Sequence, residues 1–229
     1  MPSADPGVRI LSFGDGALLV ELLPLGVASG VSDARRARLF ASAIRDLRTS
    51  SPALALGEPV AAAASVLVPF DPLSVDAALL ARRLAPLAAA LPVAPPPDSD
   101  ARPRKVRVRF GGDDGPDLAA VAAETGLTEA AVVDLLAASE LEVLFLGFAP
   151  GFGYLGDLPA ELAVPRLAVP RTRVPAGSVA IAGQWAGIYP QASAGGWRLV
   201  GATDAKLFDP SLPEPALLRA GDRVRLVPA

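Results

Sequence analysis

Hydrophobic and polar positions divide the chain into two differently patterned parts. Residues 8–22, VRILSFGDGALLVEL, are apolar on both sides of a Gly-Asp-Gly turn. Asp-Gly tolerates the positive φ of a tight turn, so the segment predicts a β-hairpin. From Asp33 to Arg48, Ala37, Phe40, Ala41, Ile44 and Leu47 recur at helical spacing, with arginines assigned to the opposite face. Ser32 stands where an N-cap would be. SVLVPF (65–70) reads as a strand, and Leu80, Leu84, Leu87 and Leu91 mark one face of a helix over 75–91 with a kink at Pro86. The order β-β-α-β-α predicts a small α+β domain over 1–92, an α/β sandwich with helices laid on a sheet.

The run PVAPPPDSDARP can form neither a helix nor an interior strand, and predicts a linker over 93–103. In the second domain, 104–229, KVRVRF (105–110) alternates basic and apolar residues as a half-exposed strand does. A short helix from Asp117 to Thr125 should stop at Gly126, and Thr128 should cap a second that runs to about Ala138. Beyond it only strands and turns are expected. Candidates are EVLFLGF, SVAIAG, GWRLVG and, after an Ala220-Gly221-Asp222 turn, DRVRLV. Many short strands punctuated by Gly and Pro favour a closed barrel or sandwich.

Composition removes whole classes of chemistry. With 229 residues and 52% hydrophobic content the chain can bury a core, and a net charge of -3 from 21 basic and 24 acidic residues advertises neither nucleic acid nor anionic lipid. No apolar run resembles a signal core or a membrane span, so a soluble cytoplasmic protein is expected. Cysteine and histidine are both absent, which excludes disulfides, thiolate nucleophiles, imidazole acid/base chemistry and nitrogen- or sulfur-ligated zinc; no metal is expected. Neither Lys105 nor Lys206 belongs to a phosphate-binding loop, so any ATP must be held in another mode or by another chain.

The segment from Gly147 to Gly201 concentrates aromatic, arginine, proline and glycine residues without a packing period, as a binding surface built on loops does. Arg166, Arg171 and Arg173 on a proline-stiffened stretch can grip carboxylate or phosphate oxygens bidentately; spacing alone fits a solvated strand edge equally well. Tyr154, Tyr189 and Trp197 offer rings with polar tips, for a pocket wall or a barrel plug. Ser178 lacks the G-x-S-x-G context and any histidine partner, so it reads as a hydrogen-bonding residue, not a nucleophile. Asp157 with Glu161, or Glu140 with Glu142, are candidate paired carboxylates, although carboxylates beside turns are usually solvated. Gly111-Gly112-Asp113-Asp114-Gly115 reads as a turn.

Three long motifs, GFAPGFGYLGDLP, VPRLAVPRTRVPAGSVAIAG and GIYPQASAGGW, followed by KLFDP at 206–210, are specific. Through them the chain resembles the family that contains the B-type subunit of bacterial ATP-dependent 5-oxoprolinase, also called allophanate hydrolase subunit 1, and a sporulation-kinase inhibitor. The resemblance implies an N-terminal α+β domain followed by a cyclophilin-like β-barrel. It also implies two 5-oxoprolinase partners, a C-type subunit that is a barrel paralogue and an A-type subunit. ATP is the implied cofactor of the assembled complex, and the substrate a small carboxylated amide, 5-oxoproline, opened to glutamate. Tyr154, Arg171, Arg173, Ser178, Tyr189 and Trp197 are the substrate-binding candidates, and a small carboxylated amide suits the arginines. Two other family roles are implied: inhibition of a sensor histidine kinase, and carboxyl transfer in a biotin-dependent urea carboxylase. The chain departs from the family pattern at Leu136 (usually His), Leu141 (usually Tyr), Trp185 (usually Gln) and Ala186 (usually Thr).

Overall fold

A computed structural model of the chain describes residues 7–23, 30–92 and 101–229, and the side chains of all of these except 30–32. The chain forms two compact units, Met1–Pro97 and Asp98–Ala229. Most of the expected linker, residues 93–100, lies outside the described residues, and its last position, Pro103, already begins a strand.

In the first unit β1 (Val8–Ser12), β2 (Ala17–Leu22), β3 (Val60–Ala61) and β4 (Ser65–Pro69) form an antiparallel sheet in the order β1-β2-β4-β3. Strand alternation buries Leu18, Val20 and Leu22 of β2 and Val66 and Val68 of β4. Against them pack α1 (Gly30–Ser50), through Phe40 and Ile44, and α2 (Ala77–Ala89), through Leu80 and Leu84. Two expectations need correction. Helix α1 begins at Gly30, so Ser32 lies inside its first turn instead of preceding it as a cap. The arginines do not all take the outer face: Arg36 is only 1% exposed, its aliphatic stem joining the core while Nη1 donates to the Leu23 carbonyl at 3.2 Å. The Asp76 carboxylate caps α2, accepting the Leu79 N–H at 2.9 Å.

The second unit is a closed barrel. Its strands are β5 (Pro103–Phe110), β6 (Leu141–Leu146), β7 (Gly153–Gly156), β9 (Ser178–Ala182), β10 (Trp185–Ile188), β12 (Arg198–Ala202) and β13 (Arg223–Pro228), in the order β10-β7-β6-β13-β5-β12-β9. β5 and β13 run parallel and the other barrel pairs antiparallel. A separate ribbon pairs β8 (Arg171–Val174) with β11 (Ser193–Gly195). Helices α3 (Leu118–Thr125) and α4 (Glu129–Ala138) pack on each other, with α3 against β12 and α4 against β13. Gly126 ends α3 at φ +71°, and Thr128 Oγ1 caps α4 by accepting the Ala131 N–H at 3.1 Å.

Alternation on β5 holds as expected: Val106 and Val108 face the core and the intervening basic residues face out. Strands β7 and β10 are short and glycine-bearing, which hid them from a pattern search. The glycine is a packing requirement: a Cβ on Gly187 would lie 2.7 Å from Phe152 Cζ, so only glycine lets β10 approach that ring. The candidate carboxylates differ in setting. Glu142 is not solvated but fully buried, with Arg223 Nη2 at 3.4 Å, and Arg223 Nη1 also reaches Asp157 at 3.5 Å. Glu140 lies 3.9 Å from Arg225, and Glu161 is exposed in a 3-10 turn.

Candidate anion-binding cleft

The proline-flanked stretch PRTRVPAG folds as strand β8, which puts Arg171 and Arg173, two residues apart, on one side of the strand. A turn through Pro175 and Gly177 then returns the chain to Ser178 at the start of β9. Gly177, at φ +81°, lies so close to the Thr203 carbonyl that a Cβ there would be 2.2 Å from its oxygen. This contact draws the turn against the end of β12. Together with the 111–116 loop and residues 202–204 it encloses a cleft of about 280 Å³, into which Arg171, Arg173 and Ser178 are brought.

The cleft's charges are unevenly satisfied. Arg109 is bound on both sides, by Asp114 at 2.9 Å and by Asp204 at 2.7 and 3.2 Å. The hydrogen bonds from Asp204 and then Asp114 push its pKa further above the ordinary arginine value, so it is a permanent cation. Arg171 Nη2 donates to Asp117 Oδ1 at 2.8 Å, and the other oxygen of that buried carboxylate accepts the Leu199 N–H at 2.7 Å. Arg171 Nη1 is buried and has no hydrogen-bond partner. Arg173 and Asp113, both exposed, have no ion-pair or hydrogen-bond partner among the described residues. A buried N–H without an acceptor costs about 1–3 kcal/mol, so a ligand oxygen placed at Nη1 and reaching Arg173 would relieve a standing penalty. The arrangement can bind an oxyanion; it offers no imidazole or thiol for proton transfer or attack.

The six sequence-derived candidates fall into two groups. Arg171, Arg173 and Ser178 share the cleft, and Ser178 is buried. Tyr154, Tyr189 and Trp197 do not line it but belong to a cluster of rings around Phe152, at centroid separations of 5.0, 5.3 and 5.8 Å. Tyr189 and Trp197 are buried there, which makes them packing residues behind the site. They still bear on it, because the Tyr189 hydroxyl lies beneath Gly195, the β11 partner of Arg171. Burial, then the neighbouring Tyr154, push the Tyr189 pKa up against the opposing pull of Arg166, Arg171 and the Trp197 backbone, so the phenol stays neutral. Arg166 lies apart from the cleft, 5.9 Å from the Trp197 ring centroid.

Sequence reasoning missed Asp117, which looked like a helix start; its carboxylate makes no cap bond because Arg171 and Leu199 use it. The Gly-Asp-Asp-Gly loop, expected to be a mere turn, places Asp113 and Asp114 on the cleft wall. Two adjacent carboxylates beside a strand carrying arginines were the available signal. Among the described residues no group of three or more carboxylates could hold a metal ion, and no helix is long and apolar enough to cross a membrane.

Comparison with known proteins covers both units at once: the carboxyltransferase domain, subdomain C and D, matches residues 8–218. The chain belongs to this carboxyltransferase-domain family. It is 55% identical over 124 residues to the B subunit of 5-oxoprolinase from Escherichia coli O157:H7, covering 54% of this chain and 57% of that protein. To the B subunit of 5-oxoprolinase from Haemophilus influenzae it is 42% identical over 161 residues, covering 70% of this chain and 74% of that one. The match thus spans little more than half the length of the first relative. The crystal structure of TTHA0988 superposes with a TM-score of 0.73 at 35% identity, covering 93% of this chain but 39% of that longer chain. Within this carboxyltransferase-domain barrel the four departures have plain locations. Leu136, Leu141 and Ala186 are fully buried in the apolar core, and Trp185 is half-buried, edge-on to Phe145 and Tyr154 at 6.1 and 5.5 Å.

Proposed function

We propose that the chain is the B-type subunit of an ATP-dependent 5-oxoprolinase. It would act with the A-type and C-type subunits in the cytoplasm to open the lactam of 5-oxoproline to glutamate. The observation that carries this reading is the 42% identity to a protein named as the B subunit of 5-oxoprolinase, across 70% of this chain and 74% of that one. The cleft agrees with it chemically. 5-Oxoproline is a small carboxylate, and Arg173 with the free Nη1 of Arg171 supplies a two-guanidinium receptor of matching charge, with Ser178 beside it. Tyr154, Tyr189 and Trp197 support that receptor from behind.

ATP does not fit this cleft. Its volume of about 280 Å³ is small for a nucleoside triphosphate, and the sequence has no phosphate-binding loop. The nucleotide and the catalytic base are therefore assigned to partner chains. That TTHA0988 matches this chain over only 39% of its length supports a unit that works with further polypeptide. The test is reconstitution. This chain mixed with its cognate A-type and C-type partners, ATP and 5-oxoproline should release glutamate and ADP only when all three chains are present. A stably assembled complex without turnover would remove the reading.

A further inference from the structure

The groups lining the cleft sort into those already neutralised and those left over. Arg109 is matched by Asp114 and Asp204, and one face of Arg171 by Asp117. Left over are Arg173, Arg171 Nη1, the Ser178 hydroxyl and, on the 111–115 loop, Asp113. A receptor for a plain carboxylate has no use for an uncompensated carboxylate in its own wall, because like charges repel the ligand. A cationic fork and a free carboxylate in one small cleft match a ligand that carries both signs.

We infer that the cleft selects an amino-acid zwitterion, its carboxylate on Arg173 and Arg171 Nη1 and its ammonium on Asp113. Resting on the 5-oxoprolinase reading, this makes the ring-opened product the favoured ligand. The lactam nitrogen is a neutral amide and gives Asp113 nothing to pair with. In net hydrolysis the C–N bond breaks and water's hydroxyl joins the carbonyl carbon. Water's remaining proton and that of the new carboxylic acid pass to nitrogen, creating the ammonium and a second carboxylate. Asp113 therefore gains its partner only after the ring has opened.

The experiment is calorimetric titration of the full chain with L-glutamate and with glutarate, the same dicarboxylate without the amino group. The two acids share the same pair of carboxylates, so the comparison isolates the amino group. Glutamate is expected to bind about tenfold more tightly, an ordinary difference for one charge-assisted contact. Asp113→Asn should abolish the preference for glutamate, glutarate binding holding or tightening as the wall loses a like charge, whereas Arg173→Ala should weaken both. Equal wild-type affinities, no binding of either acid, or an Asp113→Asn variant that still prefers glutamate each overturn the inference. Turnover in the reconstituted complex is scored separately, so a complex that opens 5-oxoproline while binding the two acids equally keeps the enzyme assignment and loses the zwitterion site.

Discussion

Asp117→Ala removes the carboxylate that joins the start of α3 to β12 and to Arg171. Two hydrogen bonds are lost, the Leu199 N–H at 2.7 Å and Arg171 Nη2 at 2.8 Å, while the backbone bond from the Asp117 N–H to the Leu199 carbonyl, 2.9 Å, can persist. Leu199 is 3% exposed, so its N–H is stranded away from water at a cost of about 1–3 kcal/mol. The Arg171 side chain is 29% exposed and can partly rehydrate, so the lost ion pair adds only about 1 kcal/mol. The barrel unit should therefore lose about 2–4 kcal/mol. Urea unfolding followed by tryptophan fluorescence measures this cleanly, because both tryptophans, Trp185 and Trp197, lie in that unit. A loss below about 1 kcal/mol would refute the claim that this carboxylate is a structural tie.

The same residue separates its two roles in a double-mutant cycle. In an Arg171→Ala background, Asp117→Ala should leave carboxylate binding where Arg171→Ala alone puts it, since Asp117 reaches the ligand only through that guanidinium. The Leu199 part of the stability loss should remain in full, because it does not involve Arg171. Additive effects on binding would mean that Asp117 touches the ligand itself.

Gly187→Ala should destabilise the barrel unit by about 1–3 kcal/mol through overpacking, since the new methyl meets Phe152 at 2.7 Å and Trp197 at 3.1 Å; an unchanged urea midpoint would show that both rings can yield. Leu136→His, which restores the residue usual in the family, buries an imidazole in a wholly apolar site and should cost about 2 kcal/mol or more, read from the same unfolding curve. Burial pushes the Asp222 carboxyl up, but the Arg102 fork at 2.8 and 3.0 Å and the Arg219 N–H at 3.0 Å outweigh it and hold the pKa below the ordinary value. A folded pKa below the unfolded one stabilises the protein fully above about pH 3.9 and loses that contribution as pH falls through the folded value. Stability should therefore fall as the pH drops below about 4, and Asp222→Asn should flatten the slope; parallel pH profiles for variant and wild type would contradict it.

How legible each feature was depended on the reach of the interaction behind it. The β1–β2 hairpin, the apolar face of α2, the Thr128 cap and the alternation of β5 are written in neighbouring residues, and they came close to the observed elements. Arg36 was misread because helical spacing shows which direction a side chain leaves the axis, not whether its charged head finds a carbonyl there. The cleft is less legible still. The Arg171–Asp117 bond joins residues 54 apart and the Leu199–Asp117 bond residues 82 apart, so no local pattern contains either. The ring cluster was visible as composition, but the burial of Tyr189 and Trp197 follows from closure of the barrel, which short glycine-bearing strands complete.

The distribution of polar groups argues for a division of labour. The barrel interior is apolar at Leu136, Leu141 and Ala186, so no acid or base stands inside it at those positions. In the cleft, Asp114 and Asp204 are occupied by Arg109, and Asp117 by Arg171 and Leu199. Oxygens already engaged by an arginine or a backbone N–H leave these carboxylates less acceptor capacity to turn toward a substrate. Asp113 alone among these carboxylates lacks a partner among the described residues, and as the counter-ion of an ammonium it would be spoken for once product forms. On the proposed reading the chain supplies charge complementarity and position. In a complex that opens a lactam, the proton transfers would have to be made by groups from another chain facing this cleft. Arg173→Ala should then raise KM for 5-oxoproline about tenfold with kcat nearly unchanged, the pattern of lost uniform binding. A fall in kcat with KM unaltered would instead place Arg173 in the transition state and return part of the chemistry to this polypeptide.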